Sequence, residues 1–242
     1  MPKSTNLIEI KGMTKLLFDA VKIEPMYMDF VQHPFIEYCM VPFKKDDSDK
    51  LSFLNIMQGE NYLLYREWFF KQIDNTNDLF RLYMLVRDPW KLTWLKYTKE
   101  FMSSKDFAEL LANAWVKEDN PNGDVNVPIQ TSISWFKKAK KEYLMDETEY
   151  QVWNSLPENI TVYRGVSPGR VALGLSWTTN KEKAEWFQHR FETSSEKGFL
   201  QKAHINKKHV LAYFNSRGEE ELVVDVLTIK GLIEVVKGKS AL

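Results

Sequence analysis

Three short stretches in the last third of the chain bring together residue types that do chemistry in combination: Tyr163-Arg164-Gly165, Ser176-Trp177-Thr178 and Glu219-Glu220-Glu221. A guanidinium at the end of a strand grips a pyrophosphate or a ribose-linked phosphate through paired hydrogen bonds, which an ammonium does less well. Gly165 would leave its backbone open to a flat ligand. Ser176 and Thr178 share one strand face, where hydroxyls orient a ribose or a neighbouring carboxylate. Glu219 and Glu221 share a face by the same alternation, with Glu220 turned the other way. Breaking the bond between a ribose and a nicotinamide passes through an oxocarbenium-like state. A fixed carboxylate beneath the ribose stabilises that state, and a second one orients or deprotonates the incoming nucleophile. Each stretch alone has a plainer reading: a surface-paired arginine, strand propensity, a solvated acidic turn. It is their order, and the apolar Leu222-Val223-Val224 directly after the glutamates, that favours the chemical one.

Strands must carry these groups, and the pattern supplies them. Ile160, Val162 and Arg164 alternate with Thr161 and Tyr163, and residues 173–178 form a second short strand. Residues 210–214 and 221–227 read as strands joined by the turn 215–218, and 229–236 adds one more. Thr179 and Glu182 have capping-box spacing for a helix with Ala184, Phe187 and Phe191 on one face. Residues 192–198 read as a mobile polar loop.

Upstream the period is helical. Phe107, Leu110, Leu111, Ala114 and Trp115 predict an amphipathic helix with Ser103 or Ser104 as N-cap. Helices over 134–144 and 147–156 follow, the second stopped by Pro157. Tyr62, Tyr65, Trp68, Phe69 and Ile73 give a helical face within 51–73, and 79–86 is strand or helix ended by Asp88-Pro89. Residues 1–49, broken by Pro25, Pro34 and Pro42, read as short strands and turns, and the charged run 44–50 as a solvated loop. The expected fold class is α+β, a helix-rich part giving way near Pro157 to a β-rich part.

Composition narrows the function classes. Of 242 residues, 33 are basic and 33 acidic, which removes the long-range pull toward nucleic acid or a membrane surface. One cysteine, Cys39, forms no internal disulfide, and no apolar run approaches membrane-spanning length, so a soluble cytoplasmic protein is expected. There is no G-x-G-x-x-G, no H-E-x-x-H and no G-x-S-x-G. The near match to a phosphate-binding loop over 169–176 has Leu175 where the lysine must stand. The turn 119–124 is rich in Asp and Asn but lacks the ligand alternation of a calcium loop, so no metal is expected.

Taken in order, Arg164, Ser176-Trp177-Thr178 and Glu219-x-Glu221 resemble the R-S-E signature of arginine-type mono-ADP-ribosyltransferases. Leu175 to Thr179, Ala184-Glu185-Trp186-Phe187 and Ala212-Tyr213-Phe214 leading to Arg217-Gly218-Glu219 are similar to bacteriophage and prophage members. The resemblance covers 163–225 closely, extends more loosely from about residue 89, and leaves 1–87 open. It implies a catalytic part over 88–242 with a mixed β-sandwich of that family's type, and a helix-rich part of open role over 1–87 packed on it. It further implies NAD as substrate, with Arg164 on the phosphate side, Gly165 at the nicotinamide carboxamide, and Tyr163 and Thr178 supporting the same wall. Ser176 would brace the ribose and the catalytic Glu221, and Glu219 would act on the acceptor. Tyr213, Phe214 and Arg217 would lie on the loop that meets the target. Phe187 is either a core residue, as its spacing favours, or a ring near the nicotinamide. Trp177 departs from the small polar residue usual at its place. The expected activity is transfer of ADP-ribose to a protein arginine of a bacterial host. The competing readings are an NAD glycohydrolase, a non-catalytic binder of a host protein, and a transferase with a nucleic-acid acceptor near the basic strip 137–141.

Overall fold

The computed structural model describes residues 2–44 and 51–236; the predicted loop at 44–50 lies almost wholly outside them. The chain divides into two compact units, Met1–Ser103 and Ser104–Leu242. The division falls later than the predicted 87/88, because the short helices that follow Asp88-Pro89 belong to the first unit.

In the first unit, residues expected as strands and turns open instead with helix α1, Leu7–Ala20. Its buried side, Ile10, Thr14, Leu17 and Phe18, has helical spacing, and all three prolines come after its end, so they never bear on it. Asn6 caps it by accepting from the Glu9 amide at 3.3 Å. Four short strands follow: β1 (Glu24–Pro25), β2 (Val31–Gln32), β3 (Met40–Lys44) and β4 (Leu51–Asn55), paired antiparallel as β1 with β2 and β3 with β4. Helix α2 (Asn61–Asn75) buries Tyr65, Phe69 and Ile73, part of the predicted face. Phe18 packs against Phe69 and Phe35 with centroids 5.0 and 5.8 Å apart. Helices α3 (Leu79–Met84) and α4 (Lys91–Thr98) complete this unit; Trp94 of α4 donates its indole N–H to Thr14 at 2.9 Å.

The second unit begins with four helices: α5 (Ser104–Lys117), α6 (Ile129–Lys138), α7 (Lys141–Leu144) and α8 (Glu147–Ser155). The single helix predicted over 134–144 is broken at Ala139 and Lys140, which are extended. There the Lys141 ammonium turns inward to the carbonyls of Phe136 (2.8 Å) and Leu211 (2.5 Å), and burial draws its pKa down to about 8. Asp146 and Glu149 form a full capping box on α8.

The β-rich part holds β5 (Asn159–Val166), β6 (Ser176–Trp177), helix α9 (Lys181–His189), β7 (Phe199–Asn206), β8 (Val210–Phe214), β9 (Glu221–Val224), helix α10 (Val226–Ile229) and β10 (Glu234–Val236). Two three-stranded sheets result, ordered β10-β7-β5 and β6-β9-β8. Every pairing among the described residues is antiparallel, where a mixed arrangement was expected. One reciprocal backbone pair links the sheets: the Tyr163 amide donates to Thr178 O at 2.7 Å and the Thr178 amide to Tyr163 O at 2.9 Å. The fold class is α+β with small antiparallel sheets. Helix α9 is capped by Asn180, which accepts from the Glu182 and Lys183 amides, rather than by Thr179. No described helix is long and apolar enough to cross a membrane.

Candidate active site

A cleft in the second unit collects most of the residues that the sequence singles out. Its walls include Tyr163, Arg164 and Gly165 of β5, Ser176 and Trp177 of β6, Thr178 just beyond it, Phe187 of α9, Arg217 and Glu219 of the turn before β9, and Glu221 at the start of β9.

Arg164 is buried at 8% exposure, and both terminal nitrogens are committed to backbone: Nη1 donates to Ser176 O at 2.8 Å and Nη2 to Val171 O at 2.9 Å. It therefore holds the 171–176 segment in place, a structural task that the expected two-pronged phosphate grip did not include. Its Nε–H is buried without a partner among the described residues, as is Oε1 of Gln201, its cross-strand neighbour. Such an unmet donor typically costs about 1–3 kcal/mol, which an anionic ligand would offset. Burial lowers the Arg164 pKa to about 10, with the charge of Glu221 pulling the other way, so it remains a cation at neutral pH. Gly174 has no room for a side chain, because a Cβ would sit 2.2 Å from Arg164 Nη2.

Gly165 lines the cleft, and packing gives a further reason for a glycine there. Helix α9 lies so close to β5 that a Cβ here would fall 1.9 Å from Ala184 O and 2.4 Å from the Gln188 amide nitrogen. The absent side chain lets α9 pack down, and this brings Ala184 and Phe187 into the cleft wall together with Phe191. The face read as core is thus largely a cleft face: Ala184 is buried, Phe187 half-buried and Phe191 exposed.

Glu221 is a half-buried carboxylate of the cleft, at the start of β9. Its Oε1 accepts from the Trp115 indole N–H at 2.9 Å, and the Ser176 hydroxyl is a second donor. Ser176 can donate because its own oxygen accepts from Asn122 Nδ2 at 2.9 Å, while Asn122 Oδ1 takes the Leu175 amide at 2.6 Å. Burial raises the Glu221 pKa, the Ser176 and Trp115 hydrogen bonds and the Arg164 charge oppose that rise, and Glu219 adds to it.

The three consecutive glutamates diverge, although not by strand alternation. β9 begins only at Glu221, and Glu220 has a left-handed backbone with φ 51°. Glu220 turns away to Lys183 (2.9 Å) and Asn180 (3.3 Å), leaving Glu219 and Glu221 on the cleft. Glu219 pairs with Arg217 at 3.0 Å. The turn carrying them is held by Gly218 (φ 69°), by the Asn215 side chain on the Glu220 amide (3.0 Å) and by buried Glu149, which accepts from the Asn215 amide at 2.7 Å.

Tyr213 and Phe214, expected on the target loop, are instead buried residues of β8. Phe214 lines the cleft; Tyr213 does not, and its hydroxyl pKa is raised chiefly by burial. Thr178 Oγ1 accepts from the Asn180 amide at 3.1 Å and so supports the turn into α9.

Among the lining residues with no place in the sequence reading of the site are Trp115, Asn122, Arg170 and Arg190. Asn122 belongs to the turn 119–124 weighed as a calcium loop. Asp124 of that turn accepts instead from the Asn126 and Val127 amides at 2.7 and 2.9 Å. No cluster of three or more His, Cys, Asp or Glu suited to a metal occurs among the described residues. Arg170 and Arg190 each lie 5.0 Å from the Phe191 ring centre, and neither is ion-paired among the described residues.

The chain matches no family model, no curated protein and no solved structure. The chemistry of the cleft therefore rests on its own geometry: two guanidiniums without an ion pair among the described residues, aromatic rings on its walls, and the hydrogen-bonded carboxylate of Glu221.

Proposed function

We propose that residues 104–242 form a mono-ADP-ribosyltransferase that moves ADP-ribose from NAD to a protein arginine and releases nicotinamide. The observation that carries this reading is Glu221, a carboxylate held by the donors Trp115 and Ser176 in a cleft that also carries Arg170 and Arg190, which have no ion pair among the described residues. The residues fit NAD in kind. Arg170 and Arg190 supply free cationic forks for the diphosphate, with the unmet Nε–H of Arg164 behind them. Phe187 and Tyr163 offer flat surfaces for the nicotinamide.

Catalysis on this reading is electrostatic. Glu221, ionised, lowers the energy of positive charge developing on the ribose as the bond to nicotinamide lengthens. Ser176 fixes the direction of that carboxylate, and Asn122 fixes Ser176. Glu219 accepts the proton from the acceptor guanidinium as it attacks. The likeness of the fold to the ADP-ribosyltransferase type, and a bacterial-host target encountered in the cytoplasm, belong to the same proposal.

The test is incubation of the protein and its Glu221→Ala variant with NAD labelled in the adenylate half, with and without bacterial lysate. Nicotinamide release and label on macromolecules are followed separately. Label on lysate protein with the parent alone supports transfer. Nicotinamide release without label makes the protein a glycohydrolase, and label on nucleic acid names a different acceptor. Absence of both signals, or full activity in Glu221→Ala, would sink the reading.

A further inference from the structure

The Arg217 side chain sits where a foreign arginine would have to sit. Its Nη2 is 3.0 Å from Glu219 Oε1, its Nη1 donates to Val116 O at 2.9 Å, and it lines the same cleft as Glu221. The turn that presents it is not loose: the Gly218 amide donates to Asn215 O at 2.8 Å, and Lys183 holds Gly218 O at 2.5 Å. A guanidinium is thus already seated on the carboxylate assigned to the acceptor, beside the carboxylate assigned to the ribose. Arg170 and Arg190, by contrast, are stacked on Phe191 with no carboxylate partner among the described residues.

We infer that Arg217 is an intramolecular acceptor, a site at which the protein ADP-ribosylates itself. The inference rests on the transferase reading of the cleft. An electron pair on an Arg217 Nη forms the bond to C1′ of the nicotinamide ribose as the C1′–N bond to nicotinamide breaks. The electrons of that broken bond neutralise the pyridinium nitrogen, and nicotinamide leaves uncharged. The proton lost from the guanidinium passes to Glu219. NAD is the only co-reactant, and Arg217 ends as an ADP-ribosyl-arginine. Because the modified side chain then bears the diphosphate within the cleft, each molecule reacts at this position once, and its own acceptor place is afterwards filled by product.

The full chain, incubated with NAD and digested, would be mapped by mass spectrometry, with nicotinamide release followed in the same samples. The expected result is one ADP-ribosyl group on Arg217, in a fraction that at a fixed time is unchanged across a dilution series of the protein. Nicotinamide release with Arg217 bare would overturn the inference while leaving the transferase reading intact; no nicotinamide release would overturn both. A labelled fraction that falls with dilution would show transfer between molecules and overturn the intramolecular claim. Label on Arg217 in the Glu221→Ala variant would make it a non-enzymatic adduct. Arg217→Lys is expected to lose the label, since an ammonium offers no guanidine nitrogen, and label of undiminished intensity in that variant would also overturn the assignment.

Discussion

Trp115 donates its indole N–H to Glu221 at 2.9 Å, across 106 residues of sequence. The donor lies near the end of α5 and is held edge-on against Phe136, with ring planes 89° apart and centroids at 5.0 Å. Helix α5 thus takes part in setting the charge of a strand carboxylate.

Trp115→Phe keeps the ring and removes the donor. A hydrogen bond to a charged group is worth about 1.5–3 kcal/mol, so NAD cleavage near neutral pH should fall by roughly tenfold or more. The acid limb of the kcat/KM profile should move to higher pH, because the ionised form of Glu221 loses a stabilising partner. Asn122→Ala should move it in the same direction by way of Ser176. A slower enzyme whose acid limb stayed put would mean that these residues only support packing.

Glu221 should also oppose stability. Its folded-state pKa lies above the unfolded value, so the stability it contributes is present at low pH and is lost as pH rises through the folded pKa. Glu221→Gln, which has no charge to bury, is expected to melt above the parent at neutral pH, with the gap closing in acid. Its NAD cleavage should drop to background. Melting curves at two pH values decide this, and equal melting temperatures at neutral pH would count against it.

Gly165→Ala places a methyl group 1.9 Å from Ala184 O, a backbone atom that cannot rotate aside. Helix α9 must lift from β5, at a cost of about 3 kcal/mol. Phe187 moves with it, so NAD binding should weaken alongside stability. Urea unfolding followed by NAD titration would check both, and an unchanged midpoint would contradict the packing.

In the first unit, His33 is enclosed and neutral, with Nε2 donating to Phe18 O at 3.0 Å and Nδ1 accepting from the Phe35 amide at 3.3 Å. Burial lowers its pKa to about 4 from 6.5. The stability it contributes is present above pH 6.5 and lost as pH falls toward 4, amounting to about 3 kcal/mol in total. His33→Gln should flatten the loss of stability over that range. An acid titration of unfolding as steep as the parent's would show that another group carries it.

The residues legible in the sequence were those whose type and partner lay within one local period. β5 announces itself by alternation, α8 by the Pro157 that stops it, and Arg164, Ser176 and Glu221 by spacing, and the cleft does collect all three. What stayed hidden depends on distant neighbours. β7 escaped notice because polar Gln201 is buried opposite Arg164, which spoils its alternation. Trp115 read as one more apolar position of an amphipathic helix, and nothing nearby in sequence indicated that its nitrogen meets Glu221. Phe187 had the right spacing for a core, yet its face borders empty space, since only a third dimension tells a core from a cleft. Glu219 and Glu221 were correctly placed together, although by a left-handed residue between them and not by a strand.

Arg164 spends its two terminal nitrogens on the carbonyls of Val171 and Ser176 before any ligand arrives. The conformational entropy of the segment it ties down is therefore lost at folding, and little of that cost is left to be met on binding. A ligand entering the cleft finds Ser176 already in place. On the transferase reading, its affinity would then depend on Arg170 and Arg190 at the walls, and discrimination among anionic nucleotides would follow salt and charge spacing more than loop closure.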